Sequence, residues 1–258
     1  GKLMTYIRIL PMVRQRDGLR NVLKNKDTQE TIVETLEHGV RFCMFPEGKH
    51  RTKHSLQVFG KGAFRAAIAA NNKFGNDRPI YIIPVGIEYG DYFRYRSTHL
   101  VNYGKPINVT EFVKGLDVEN DVQMIEPLRK ELSERIKELI TYIPDDEQYD
   151  QKWALLKMVA IRDERRGYGC FGRKLYDGML KNREIAADIE AKLQAEPEKM
   201  AGILEEVKEF ERLRKASGIS IYAFRKKKNP VLNTIGKGLA AIVGLPYFIF
   251  SAIASLPM

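Results

Sequence analysis

Apolar and polar positions along the first half of the chain alternate between helical spacing and short continuous apolar runs. Residues 19–38 carry apolar side chains at roughly helical spacing, and Gly39 follows as a C-terminal stop. Residues 40–45 form a short apolar run that ends at Pro46, as a buried strand would. The pattern continues with a helix over 62–74, which has a small-residue face, a strand over 80–85 and a strand over 98–103.

This order of strand, helix and strand with short connections is typical of an α/β domain. It predicts a mostly parallel sheet flanked by helices, with a further amphipathic helix over 121–142 packed on the sheet. Ligands of such sheets gather beyond the carboxyl ends of the strands. The loop over 46–55 follows the strand that ends at Phe45, so the substrate site is expected there.

The second half of the chain has a different composition. The run Pro144-Asp145-Asp146-Glu147 indicates a boundary, and residues 150–216 are charged and helix-rich, with Pro197 dividing them. Residues 238–258 contain no charged side chain and follow the basic run at 225–228, which predicts an apolar C-terminal membrane segment with its basic flank on the cytoplasmic face. We therefore expect an α/β domain over 1–143, a charged helical region over 144–230 and a membrane-associated segment over 231–258, the last of them truncated.

The formal net charge of +10 suits an anionic partner, and the residue pattern narrows its class. The basic residues are not interleaved with aromatic residues as in nucleic-acid-binding modules, so no nucleic-acid partner is expected. The two cysteines, Cys43 and Cys170, lie far apart and form no metal-ligand spacing, so neither a metal site nor a disulfide framework is predicted. Cys43 lies in an apolar run and is expected to be a buried, reduced thiol. An anionic lipid surface or a phosphorylated substrate remains.

The sequence Phe45-Pro46-Glu47-Gly48 opens a loop with an unusual density of basic residues. Gly48 permits a close backbone approach, and Glu47 is suited to orient an arginine or to accept a hydrogen bond from a substrate hydroxyl. Guanidinium and ammonium groups bind phosphate oxygens well. The residues near this strand end that could bind a substrate phosphate are Arg14, Arg16, Lys49, His50, Arg51 and Lys61.

The order of these blocks resembles the 1-acylglycerol-3-phosphate acyltransferase family, over roughly residues 5–110. In that family an arginine block, matched here by Arg14, precedes an FPEG block, which is followed by a strand that ends in an apolar-proline motif, matched here by Pro84. The resemblance assigns substrate-phosphate binding to the basic residues with Glu47 and Gly48, and a structural role in the motif to Phe45, Pro46 and Pro84. It implies a glycerolipid acyltransferase fold.

Two positions depart from the family pattern. After FPEG the family has threonine and then arginine, whereas this chain has Lys49, His50 and Arg51, so either of the last two could take the arginine's place. The family's catalytic histidine is followed five positions later by aspartate and precedes the arginine block. The four histidines here, His38, His50, His54 and His99, are followed at that distance by Cys43, Ser55, Phe59 and Gly104. No catalytic residue is therefore assigned; His54 lies in the loop but lacks the aspartate.

The resemblance implies acyl transfer from acyl-CoA or acyl carrier protein to 1-acyl-sn-glycerol 3-phosphate, giving phosphatidate at a membrane surface in phospholipid biosynthesis. It implies no bound cofactor beyond the acyl donor. Glycerol 3-phosphate or another lipid alcohol would be an alternative acceptor. We expect the chain to be an N-terminally truncated member that is inactive by itself. The alternative is a non-catalytic module that binds anionic lipid, because the sequence lacks the His/Asp pair.

Overall fold

The computed structural model describes residues 24–49, 51–89, 98–118, 120–162, 173–224 and 230–255. The described helices of the first half are α1 (Lys24–Glu37), α2 (Gly62–Phe74), α3 (Val109–Lys114) and α4 (Asp121–Lys137). The strands there are β1 (Tyr81–Ile82), β2 (Val85–Tyr89), β3 (His99–Tyr103) and β4 (Ile107–Asn108). The helices beyond them are α5 (Tyr149–Arg162), α6 (Arg173–Ala195), α7 (Pro197–Ala216), a 3-10 turn at Ile221–Phe224 and α8 (Pro230–Ser255).

The predicted parallel sheet is wrong. Among the described residues the strands form two separate antiparallel pairs, β1 with β4 and β2 with β3. The connection over 90–98 is too short for a parallel crossover, which needs about a dozen residues or more, so β2 and β3 form a hairpin. Pro84 interrupts the run that was expected to be one strand over 80–85 and separates β1 from β2.

The strand expected over 40–45 is also absent from the described structure, although its backbone is not helical. Within that part of the chain it pairs with no strand. Phe45 is 78% exposed, and Cys43 is exposed, so the expectation of a buried thiol is wrong as well. The largely apolar character of this run predicted burial, but within the described structure only Phe42 and Met44 are half-buried, because no neighbouring strand covers the run.

Local signals explain where several helices begin and end. At the end of α1, Gly39 has a positive φ of 77°, and its backbone N–H donates to Leu36 O while that of Val40 donates to Thr35 O. Asn108 and Asn120 cap α3 and α4 through their side chains, which accept the N–H groups of Glu111 and Val122. Proline is tolerated in the first turn of a helix, and Pro197 begins α7.

Within the described residues, these elements form two main hydrophobic cores. The first lies between α2, α4 and the β1–β4 pair and includes the fully buried Phe64 and Leu128. A smaller cluster joins α1 to α2 through Val33, Ala70 and Phe74. The second main core lies among α5, α6 and α7 and includes Leu156 and Met200. The helical prediction for 150–216 thus agrees with the described helices, and the second core begins at Ile143, shortly after α4 ends.

The predicted apolar C-terminal membrane segment is a further correction. Among the residues that the structure describes, no helix combines the length and the apolar character needed to cross a bilayer. The helix α8 contains Pro246, which removes a backbone hydrogen bond from its interior. Its large apolar side chains from Ile235 to Phe250 are exposed.

Candidate functional site

The FPEG loop begins with a tight turn. The N–H of Gly48 donates to Phe45 O at 3.3 Å, and Gly48 has a φ of 64°, in the left-handed region that favours glycine. Gly60, at the other end of the loop, donates its N–H to Pro46 O at 2.7 Å. A Cβ on Gly60 would lie 3.4 Å from that oxygen, at the near limit of ordinary van der Waals contact. The loop is therefore closed on itself before α2 begins.

Gln57 ties the two sides of this loop together. Its Nε2 donates to the carbonyl oxygen of Lys49 at 3.0 Å and to a carboxylate oxygen of Glu47 at 3.4 Å. The Lys49 side chain is exposed, whereas Glu47 is half-buried. This arrangement leaves the ammonium group of Lys49 toward solvent, where it can meet an anion, and holds Glu47 within the loop.

Arg51 and Lys53 both bind the carboxylate of Asp145, a residue that lies outside the loop. Arg51 Nη1 lies 2.6 Å from Asp145 Oδ2, and Lys53 Nζ lies 2.6 Å from Asp145 Oδ1. The hydrogen bonds from Lys53 and Arg51 hold the pKa of Asp145 below its usual value. Lys53 also lies over the ring of Tyr149, 4.7 Å from its centroid. Each Asp145 oxygen therefore accepts one cationic donor.

The following residue, His54, anchors the loop to both halves of the molecule. Its backbone N–H donates to Tyr149 Oη at 2.6 Å, and its carbonyl accepts the N–H of Ile143 at 2.7 Å. Its ring packs against Trp153, with centroids 4.1 Å apart, and its Nδ1 lies 3.5 Å from Glu88 Oε1. Burial lowers the pKa of His54 to about 4, so the imidazole is neutral near pH 7.

Glu88 is the carboxylate of this buried pair. It projects from β2 with 4% of its surface exposed, and its other oxygen accepts the N–H of Thr141 at 2.9 Å. Burial raises the pKa of Glu88 to about 7, against the lowering effect of the Thr141 hydrogen bond. Burial also raises the pKa of Tyr149, to about 12. At neutral pH the side chains of His54 and Tyr149 are therefore uncharged, whereas Glu88 is present in both its protonated and its ionised form.

The structure brings together only part of the predicted site. Glu47, Gly48, Lys49 and Arg51 lie in the one closed loop, and Lys61 is exposed at the N-terminal cap of α2, next to Gly60. Phe45 is exposed and Pro46 accepts the hydrogen bond that closes the loop. Arg14, Arg16 and His50 lie outside the described residues, so the choice between His50 and Arg51 stays open.

Pro84 lies apart from the loop contacts just described. It is fully buried, and its carbonyl accepts the N–H of Gly104 at 2.9 Å. A Cβ on Gly104 would meet the Pro84 ring at 3.4 Å. Pro84 therefore packs the turn that leaves β3 against the start of β2, which is a structural contact.

Sequence reasoning missed the residues that hold the loop from the second half of the chain. Asp145 was interpreted as part of a boundary, and Tyr149 and Trp153 as part of a region without assigned chemistry. These residues lie more than ninety positions from the loop residues that they contact, so no local pattern in the sequence indicated these pairings. Within the described part of the chain, no cluster of three or more His, Cys, Asp or Glu side chains could hold a metal ion.

Comparison with known proteins gives one match. Residues 1–88 match the family model described as Acyltransferase, a range that includes the FPEG loop, Pro84 and Glu88 but ends before Asp145 and Tyr149. No curated protein and no solved structure matches the chain. The match supports the acyltransferase family in general and does not select a member that acts on 1-acylglycerol 3-phosphate. The similarity of residues 1–88 to the Acyltransferase family thus supports a general acyltransferase function for this protein.

Proposed function

We propose that the protein serves acyl transfer from acyl-CoA or acyl carrier protein to 1-acyl-sn-glycerol 3-phosphate, giving phosphatidate. In this reaction the free glycerol hydroxyl attacks the thioester carbonyl, a C–O bond forms and the C–S bond breaks. The hydroxyl proton is transferred to the departing thiolate, which leaves as the free thiol. The observation that carries the proposal is the acyltransferase match over a segment whose FPEG loop presents Lys49 and Arg51 at the protein surface.

The charges of the loop fit a phosphorylated acceptor. A phosphate monoester carries up to two negative charges near neutral pH, and arginine and lysine donate charge-assisted hydrogen bonds to its oxygens. Lys49, Arg51 and Lys61 are the predicted phosphate-binding cations within the described residues, and all three are exposed. Glycerol 3-phosphate carries the same phosphate and is the alternative acceptor.

The lipid acceptor also implies a membrane surface, which we propose as the site of action on the cytoplasmic face. The net charge of +10 favours binding to a surface that contains anionic lipid. This proposal concerns binding at the surface and does not require a spanning helix.

The sequence itself favours a second candidate, a non-catalytic module that binds anionic lipid. None of its four histidines is followed five positions later by aspartate, so no residue of this chain is assigned as the general base. The closed, basic loop would serve lipid binding equally well.

An acyl-transfer assay separates the two candidates. Labelled acyl-CoA and lysophosphatidate are incubated with the chain, with a version extended upstream in its reading frame, and with the Glu47→Gln variant of that version. Glu198→Gln, at an exposed position in the first turn of α7, is the matched control. We expect the extended form and its Glu198→Gln control to produce phosphatidate. In the Glu47→Gln variant the rate of acyl transfer should fall at least tenfold, which corresponds to an increase of about 1.4 kcal/mol in the activation free energy. An inactive extended form that still binds phosphatidate vesicles would favour the lipid-binding module.

A further inference from the structure

The carboxylate of Asp145 binds two cationic side chains that follow the FPEG sequence. Its two oxygens, on one central atom, each accept one donor at 2.6 Å, from Arg51 Nη1 and from Lys53 Nζ. A phosphate group offers the same arrangement, because two of its oxygens also share one central atom. The side chains of Arg51 and Lys53 are 37% and 38% exposed, so a ligand from solvent can reach both cations.

The loop does not need Asp145 to keep its shape. His54 is held through its backbone by Tyr149 and Ile143, and Gln57 and Gly60 close the loop through hydrogen bonds to Lys49 O and Pro46 O. An ion pair between exposed groups contributes little to stability. What Asp145 alone provides is a negative charge that neutralises one of the two positive charges beside it.

We propose that Arg51 and Lys53 together form the acceptor-phosphate site, and that Asp145 is a built-in counter-anion that the acceptor's phosphate displaces or shares. This inference rests on the proposed function and deepens it. It adds Lys53 to the predicted phosphate-binding residues and assigns control of phosphate affinity to a residue outside the matched segment 1–88.

The electrostatic role makes a prediction that a structural role does not. Removing a negative charge near the site raises its positive potential, and the gain in binding grows with the charge of the ligand. At about 6 Å in water-like surroundings, Asp145→Asn should strengthen binding roughly threefold for a singly charged anion and roughly tenfold for a doubly charged one. A residue that only shaped the loop would change both by the same factor, and in the opposite direction.

The test is a titration of the chain, as it exists, with glycerol 3-phosphate and with dimethyl phosphate at pH 8, at fixed low ionic strength. The first probe is doubly charged at that pH and the second is singly charged. Asp146→Asn is the matched control, because it makes the same change in net charge one residue away while Asp146 binds Lys152 and not the loop. Lys53→Met and Arg51→Met remove the two donors, and the unfolding midpoint of each variant is measured beside its affinity.

We expect stronger binding in Asp145→Asn, with the larger gain for glycerol 3-phosphate, no such gain in Asp146→Asn, and loss of binding in Lys53→Met and Arg51→Met. Weaker or unchanged binding in a folded Asp145→Asn overturns the inference, as does the absence of binding in both wild type and Asp145→Asn. If phosphate binds with the same affinity to wild type, Asp145→Asn, Lys53→Met and Arg51→Met, the inference fails while the proposed function stands. If the pattern is found but the extended form transfers no acyl group, the phosphate site stands and the proposed function fails.

Discussion

The two main cores of the molecule are assembled in different ways. The first joins residues from Phe59 to Leu132 across a helix, short strands and a second helix, so its contacts bridge long stretches of chain. The second joins three helices that follow one another, from Ile143 to Met200. The loop with the candidate site lies between them, because its cations meet Asp145 and its His54 meets Glu88 on one side and Trp153 on the other.

The contacts of the loop with the second core lie beyond the segment that resembles a known family. The acyltransferase match covers 1–88 and includes the loop itself, but it does not include the residues that hold the loop in place from the other side. Because the loop contacts both sides, we expect the two cores to unfold together. Four predictions test this coupling or the contacts within and around each core, from the largest expected effect to the smallest.

The largest effect is expected from emptying the first core. Phe64 is fully buried, so Phe64→Ala should lower the free energy of unfolding by about 3–5 kcal/mol through lost burial and the cavity that remains. The single tryptophan, Trp153, lies in the second core region and reports on it separately. If the cores are coupled, the unfolding transitions of this variant followed by tryptophan fluorescence and by far-ultraviolet circular dichroism should have the same midpoint in denaturant concentration. Two separate transitions would show that the cores unfold independently.

The buried His54–Glu88 pair should show a pH dependence only when one partner is removed. The pKa of Glu88 is raised from 4.5 to about 7, so its contribution to stability is present at low pH and is lost as the pH rises between those values. The pKa of His54 is lowered from 6.5 to about 4, so its contribution is present above 6.5 and is lost as the pH falls toward 4. Between pH 4.5 and 6.5 the two contributions therefore change the free energy of unfolding in opposite directions.

In the Glu88→Gln variant, only the titration of His54 should make the free energy of unfolding depend on pH in this interval. The variant is expected to lose about 2 kcal/mol of unfolding free energy between pH 6.5 and 4.5, measured by urea denaturation at both values. His54→Gln should show the reverse, losing stability as the pH rises over the same interval. The wild type, with both contributions, is the control and should change little. A wild type that is as pH-dependent as either variant would contradict the pairing.

The buried Lys152 tests whether the second core depends on paired charge. Its ammonium group binds Asp146 Oδ2 at 2.6 Å and Glu190 Oε1 at 2.7 Å, and the residue is 3% exposed. Removing both carboxylates, in Asp146→Asn with Glu190→Gln, should cost about 2–3 kcal/mol because an unpaired charge remains buried. Lys152→Met should cost less, because the carboxylates it leaves behind reach water. Thermal unfolding of the three proteins gives the order, and a costlier Lys152→Met would contradict it.

The smallest effect is expected on the surface of α7. Arg212 and Glu209 form an exposed pair one turn apart, 2.6 Å between Nη2 and Oε1, and such pairs contribute little. Arg212→Ala should leave the unfolding midpoint unchanged within error. A clear decrease would mean that this face of the helix is covered in solution.

The sequence determined those features that depend on neighbouring residues. The helix over 62–74 was predicted at its observed bounds, because alanine-rich spacing and the small-residue face are local properties. The helices on either side of Pro197 followed from helical spacing and one proline. The basic loop after FPEG was likewise visible from residue types alone. The match over 1–88 supports the acyltransferase family in general, and not the specific 1-acylglycerol-3-phosphate member that the loop suggested.

Tertiary structure decided the features that depend on pairing. Apolar runs indicate a buried strand but do not say which strand lies beside it or in which direction, so the short antiparallel pairs replaced the expected parallel sheet. The partners of Arg51 and Lys53 lie more than ninety positions away, at Asp145, and no local pattern encodes a contact at that distance. The sequence by itself thus determined which side chains carry charge, and only the fold decided which of those charges meet.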